Sequence, residues 1–359
     1  MSALSFPPPR FVVRVALALR RFLSNLADSV VPAEVVLLER TAGLGQTLGL
    51  RVASRLRLVE ALEMGPRSAV DLARGLNLDA RSLHRLLRAL AAVGIFQLRS
   101  DGRFENNRLS RAISSLGPTA EYFGSAANAA AWSDLERSIA TGRAAFDRVH
   151  GVSVWQWFAD HPEDGAEFSA AMAAVTTLYA PAVAACPAFE GILRLCDVGG
   201  GRGVLLAAAL TRHPKLCGLL LDHPAVLSGA REHLAASGVM ERVELAAGDF
   251  FESVPTGCDG YLLKQVLHDW DDERCALILR NCRRAMASGA RLFLVEALVD
   301  ETTAADIGPL FDLHMLVACE GGRERSLEEF TRLLAANGFR MKKAHPTASP
   351  MWVLEAVAV

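Results

Sequence analysis

Residues 195–204 read LCDVGGGRGV, an apolar strand-like run that ends in Asp197 and opens into Gly199, Gly200, Gly201 and Gly203. A turn of this kind brings its backbone against a ligand with no Cβ in the way. In the G-x-G-x-x-G spacing of dinucleotide-binding turns a third glycine would stand at 204, but Val204 is there and the helical run LLAAAL has begun. The spacing favours a nucleoside carrying an amino acid, the methyl donor S-adenosylmethionine, over a pyridine dinucleotide. By itself the loop is also readable as a tight strand-to-helix turn.

The acids downstream narrow the choice, because each follows an apolar run at the carboxyl end of a strand, where open α/β sheets bind ligands. CGLLLDHP places Asp222 where a carboxylate accepts both ribose hydroxyls, and VELAAGDFF places Asp249 to receive an adenine amino group with Phe250 over the ring. CDGYLLKQVLHDW brings Lys264 to a strand end, suited to the carboxylate of the donor's amino acid, with His268 four residues on. The donor set is therefore Asp197, Gly199, Gly201, Asp222, Asp249, Phe250 and Lys264. Singly, these are loop acids, a core phenylalanine and a surface lysine; in this order they support one another.

At these residues the chain resembles the small-molecule O-methyltransferases of the winged-helix-plus-Rossmann type, which include plant caffeate and flavonoid enzymes and bacterial antibiotic-tailoring enzymes. DVGGGRG, LLLDHP, GDFF, KQVLHDWDDE, LFLVEAL and GGRERSLEEF stand in that family's order over nearly the whole chain. The resemblance implies an S-adenosylmethionine-dependent, metal-free homodimer with His268 as general base. Glu296, closing LFLVEAL, and Glu324, in GGRER, would be the two acids that hold the imidazole. For Glu324 an ion-paired loop with Arg323 and Arg325 is the plain alternative. Asp269, Asp271 and Asp272 invite a hard-cation reading, yet they also suit a helix start before ERCALILR.

The chemistry fits the histidine. Methyl transfer from a sulfonium is an in-line displacement that needs an aligned, nucleophilic oxygen. A phenol of pKa about 10 is mostly protonated at neutral pH, and an imidazole of about 6.5 can take its proton for roughly 10²–10⁴-fold in rate. A carboxylate on the other ring nitrogen fixes the tautomer.

The wider sequence gives an α/β chain: a Rossmann-like class I methyltransferase domain with an N-terminal all-α winged-helix dimerisation domain. Its 359 residues, 51% of them hydrophobic, suffice for more than one domain. The expected boundaries are 1–110 for the arm and winged helix, 111–187 for a helical roof, and 188–359 for the donor-binding domain. In the first, Ser68 and Asp79 start two helices, and IFQLRSDGRFEN turns at Ser100-Asp101-Gly102 as a wing. In the roof, Trp132, Phe146, Trp155, Trp157, Phe158, Phe168, Met172 and Tyr179 imply a flat phenolic or other hydroxylated acceptor, with Asp312, His314 and Met315 of FDLHML.

The net charge of −2 suggests no polyanionic partner, although sixteen arginines before residue 111 leave that part at +7. Arg81, Arg85 and Arg88 raise the nucleic-acid question, but the broad leucine face of their helix favours a protein partner. Seven cysteines without a C-x-x-C pair read as reduced thiols of a cytoplasmic protein. PPPRFVVRVALALRRF is broken by Arg14, Arg20 and Arg21, so it reads as an amphipathic arm, neither exported nor stably inserted in a membrane. Two rival functions remain at this level: a related enzyme that uses the bound donor for decarboxylation or hydroxylation, and a winged-helix regulator.

Overall fold

A computed structural model describes residues 8–300 and 308–359; residues 1–7, the start of the expected first domain, and 301–307 lie outside the described residues. The chain divides into two compact units. One comprises Leu19–Ala129 with Glu163–Val175; the other comprises Ala130–Pro162 and Thr176–Val359 with the residues up to Ala18. The stretch 111–187, expected as a region of its own, is shared between them. Its aromatics divide likewise: Phe168 packs edge-on against Tyr122 at 5.4 Å in the first unit.

The first unit is a helical winged-helix fold. Ser68 caps the helix Ala69–Leu76 by accepting the Asp71 N–H at 3.1 Å, and Asp79 caps Ala80–Ala92 by accepting that of Ser82 at 2.8 Å. Leu83, Leu87 and Leu90 of the second helix turn inward onto Leu72, Phe96 and Phe104. The wing is the antiparallel pair β1 (Gln97–Leu98) and β2 (Phe104–Glu105). Part of the arginine excess is met inside this unit: Arg51 and Arg55 bind Glu167 at 3.1 and 3.0 Å, and Arg99 and Arg103 bind Glu105 and Asp101. Arg81, Arg85 and Arg88 carry no ion pair among the described residues.

The second unit is built on one seven-stranded sheet: β3 (Arg194–Val198), β4 (Cys217–Asp222), β5 (Val243–Ala247), β6 (Gly260–Lys264), β7 (Arg291–Ala297), β8 (Phe339–Pro346) and β9 (Met351–Ala358). Their order is β5-β4-β3-β6-β7-β9-β8, the first five parallel and the last two antiparallel. The strand-like runs quoted from the sequence are all present, and the closing strands β8 and β9 pair antiparallel. Alternate residues of each strand face opposite sides of the sheet. Cys196 and Val198, Leu219 and Leu221, Tyr261 and Leu263, Leu292 and Leu294, and Leu354 and Ala356 form one core with the helices Asp272–Ala285 and Leu327–Ala336. The alternate residues Leu195, Leu220, Leu262, Phe293 and Val353 are also buried, so both faces are covered, as parallel sheets require. The strand order reverses between β3 and β6, and the crevice beyond the carboxyl ends opens there.

Phe293 is fully buried in β7 against Phe189, with ring centroids 5.0 Å apart. Phe293→Ala is expected to lower the urea midpoint by the equivalent of about 3–5 kcal/mol; a midpoint near that of the parent chain would mean that the sheet core does not limit stability.

Candidate active site

The glycine turn sits at the switch point. β3 ends at Val198, the Gly199 N–H bonds Leu221 O at 2.9 Å, and the helix Val204–Arg212 starts at Gly203. Gly203 has φ +72° and a Cβ there would stand 2.9 Å from Leu220 Cδ1, so glycine alone lets the helix start this close to β4. Asp222 ties the turn down, accepting from Gly201 N and from His223 N at 2.7 Å each. Asp197 is buried, and its Oδ1 has no hydrogen-bond partner. Burial, assisted by Asp222 and opposed by Lys264, pushes its carboxyl up to about 7.

Around the same crevice Asp249 accepts the Phe251 N–H at 2.7 Å, which leaves its other oxygen facing outward. Phe250 reaches back toward Gly199, where a Cβ would meet its ring at 3.4 Å. Lys264, at the end of β6, donates to Thr176 Oγ1 at 3.2 Å. The seven expected donor residues therefore line adjacent strand ends. Thr176 was missed in the sequence, as was Gln265, held at φ +50° between Lys264 and His268; Tyr179, read from the sequence only as a roof aromatic, donates to Gln265. Nothing in a helical TTLYA run signals that it approaches a lysine 88 positions away.

Beyond β6 the chain makes a short turn, Leu267–Asp269, that presents the imidazole. His268 Nδ1 lies 2.9 Å from Glu324 Oε1, and Nε2 lies 3.4 Å from Asp269 Oδ1. Glu296 extends the inward row of β7, fully buried, with neither carboxyl oxygen hydrogen-bonded. One ligand atom from each of His268, Glu296 and Glu324 lies within 4.8 Å of the others. The three expected residues thus come together. The ion-paired reading of Glu324 fails for a geometric reason: Arg323 takes Glu329 at 2.6 Å, Arg325 takes Asp272 at 2.7 Å, and Glu324 turns inward between them.

The electrostatics follow from crowding acids around one base. Burial alone would make His268 less basic, but Asp269, then Glu324 and Glu296, outweigh it and push the imidazole up to about 10. Burial pushes Glu296 up to about 8 and Asp269 up to about 6. At neutral pH the imidazole holds a proton and Glu296 is uncharged. Asp269 was read from sequence as a helix-start or cation-site acid; its contact with Nε2 appears only in three dimensions. Asp271 instead caps Asp272–Ala285 by accepting Arg274 N at 2.8 Å, so the three acids do not converge as a cation site.

Aromatic rings lie beside these groups. Trp132 stacks on His314 at 5.9 Å, and Trp155 stacks on Trp270 at 5.4 Å. Burial, and the nearby His268, push His314 down to about 4, so it stays neutral.

Comparison with known proteins places this arrangement. The O-methyltransferase domain profile matches residues 132–340, and the O-methyltransferase dimerisation domain profile matches 46–115. The chain is 39% identical to a mitomycin biosynthesis 6-O-methyltransferase of Streptomyces lavendulae, over 87% of this chain and 91% of that one. It is 37% identical to a phenazine O-methyltransferase of Lysobacter antibioticus, over 92% and 98%. Among solved structures, an O-methyltransferase of neocarzinostatin biosynthesis in complex with S-adenosylmethionine and 2-hydroxy-5-methyl naphthoic acid superposes with a TM-score of 0.72 at 33% identity, over 87% and 96%.

Asp222→Asn removes the charge facing the crevice while keeping one acceptor for the turn, and is expected to weaken S-adenosylmethionine about tenfold by calorimetry. Unchanged affinity would remove Asp222 from the donor site.

Proposed function

The chain belongs to the S-adenosylmethionine-dependent O-methyltransferases and methylates a hydroxyl of an aromatic or polyketide-like small molecule; on that premise, we propose that His268 is the general base, held by Glu324 and Glu296. The observation that carries this reading is the 2.9 Å bond from His268 Nδ1 to Glu324, which holds the ring by one nitrogen; Nε2, 3.4 Å from Asp269, is the nitrogen that would meet an incoming hydroxyl.

We assign the donor to Asp197, Gly199, Gly201, Asp222, Asp249, Phe250 and Lys264. The residues suit it: the buried, unbonded oxygen of Asp197 is an acceptor in want of a cationic donor, and the free oxygen of Asp249 and the ring of Phe250 offer an edge and a face to a base. When bound, S-adenosylmethionine supplies an electrophilic methyl on a sulfonium. Lys264, at the carboxyl end of β6, would hold the donor's carboxylate.

On the acceptor side Nε2 takes the hydroxyl proton as the oxygen forms its new bond to the methyl carbon and the carbon–sulfur bond breaks. An imidazole near 10 matches a phenol near 10, so the transfer is close to thermoneutral. Glu324 stabilises the resulting imidazolium, and Asp269 lies where a second acceptor oxygen would meet it. The stacked pairs Trp132–His314 and Trp155–Trp270 favour a flat phenolic acceptor, with neutral His314 as a hydrogen-bonding group. No metal is required in this scheme, although His268, Glu296 and Glu324 have a spacing that a cation can bridge.

We infer a homodimer. The dimerisation profile supports it, and so does the helix Arg10–Ser29, which buries no residue and leaves Phe11, Val15, Leu19, Phe22 and Leu26 exposed at helical spacing. The wing arginines are engaged by Asp101 and Glu105, which argues against a nucleic-acid partner. No helix among the described residues is long and apolar enough to cross a membrane. A cytoplasmic setting suits the seven free cysteines, six of them buried.

His268→Ala is expected to cut kcat by about 10²–10⁴-fold with donor affinity within about twofold. In the parent enzyme only the unprotonated imidazole acts, so kcat/KM should rise with pH through the neutral range, and the substitution should abolish that limb. Equal loss of donor binding and turnover would reassign the residue. Activity should also persist in excess chelator; loss that magnesium restores would replace the metal-free scheme.

A further inference from the structure

Arg325 is among the largest side chains in the protein to be fully buried. Its guanidinium donates to Leu267 O and Trp270 O, each at 2.8 Å, and to Asp272 Oδ1 through Nη2 at 2.7 Å and Nε at 3.1 Å. Leu267 and Trp270 flank His268 and Asp269, and Arg325 follows Glu324 directly in sequence. The segment that supplies the acid thus grips the turn that supplies the base.

Backbone contacts complete the grip. The Arg323 N–H bonds His268 O at 2.8 Å, and Val299 N bonds Arg325 O at 3.3 Å, tying the segment to the end of β7 beyond Glu296. Gly322 permits the approach, since a Cβ there would stand 2.7 Å from Cys319 Cβ and 3.1 Å from His268 O.

Charge adds a second role. The groups facing His268 are Asp269 from its own turn, Glu296 from β7, Glu324 from the gripping segment, and His314, which stays neutral. Lys264 and the Cys319 thiol bear on Asp269. Arg325 is a cation at the edge of this acidic group, and its charge partly opposes the burial that raises Glu296.

We propose that Arg325 is a positioning residue for the methyl transfer: its fork locks the His268 turn to the Glu324 segment, with its charge at the edge of the acids around the imidazole. The proposal rests on the reading of His268 as that base. Lysine would keep the charge without the planar fork, and methionine would keep the bulk without either. Arg325→Met removes one partner of the pair and the donor of two carbonyls, which costs stability. Asp272, whose side chain is 63% exposed, offers a gentler way to loosen the same fork.

The test compares kcat, donor affinity by calorimetry and the pH profile of kcat/KM for Arg325→Lys, Arg325→Met and Asp272→Asn. Arg325→Met is expected to lose about a hundredfold in kcat, keep donor affinity within about threefold, and move the acid limb up by about one pH unit, because a lost cation raises the proton affinity of its neighbours. Arg325→Lys should lose kcat with its limb near the parent position, and Asp272→Asn should lose severalfold. If Arg325→Met does not fold, the other two variants decide. Parent kcat in both Arg325→Lys and Asp272→Asn overturns the positioning role, as does a lower melting temperature with kcat and limb unmoved. Near-parent turnover in His268→Ala would instead overturn the base assignment, a separate result.

Discussion

A buried imidazole among three carboxyl groups is the constraint to which the rest of the catalytic unit answers. Asp269 lies against Nε2, Glu324 against Nδ1, and Glu296 beneath. Charges so placed and withdrawn from water cannot all be ionised, and the cluster settles by keeping a proton on His268 and leaving Glu296 neutral. The imidazole is thereby more basic than a free histidine, which suits the proposed role toward a phenol. It works only if the turn bearing it cannot drift, and three chain segments, ending β6, ending β7 and following Cys319, meet to hold it.

The donor crevice obeys a different rule. Parallel strands end together, so the residues after β3, β4, β5 and β6 gather at one edge with no long-range folding device beyond the register of the sheet. Glycines let the turn after β3 approach, and Asp222 fastens that turn through the Gly201 N–H before any ligand arrives. The two halves of the reaction are thus prepared separately: the methyl-donor side by backbone geometry, the acceptor side by side-chain electrostatics.

Much of this was legible in the chain. Continuous apolar runs such as CGLLLD and GYLLK read as buried parallel strands because both of their faces are covered, and the acid or lysine ending each run marks the ligand edge. Ser68 and Asp79 announced their helices because capping is chemistry between near neighbours. The helical stretch 111–187 was less readable. Its amphipathic pattern shows that faces are buried but not against which partner, so the sequence held no sign that Phe168 packs with Tyr122 while Trp155 stacks on Trp270.

The sequence by itself determined the order of strands and turns along the chain and singled out the acids, glycines, lysine and histidine at their ends, since each is set by local pattern and by residue chemistry at fixed spacing. Tertiary structure alone decided the partners: which nitrogen of His268 meets Glu324, that Asp269 belongs to the imidazole, that Thr176 comes to Lys264, and that Arg325 turns from a loop charge into a buried clamp. Those contacts join residues between 53 and 88 positions apart, or depend on the rotation of one side chain, and neither separation nor rotation is written in a linear pattern.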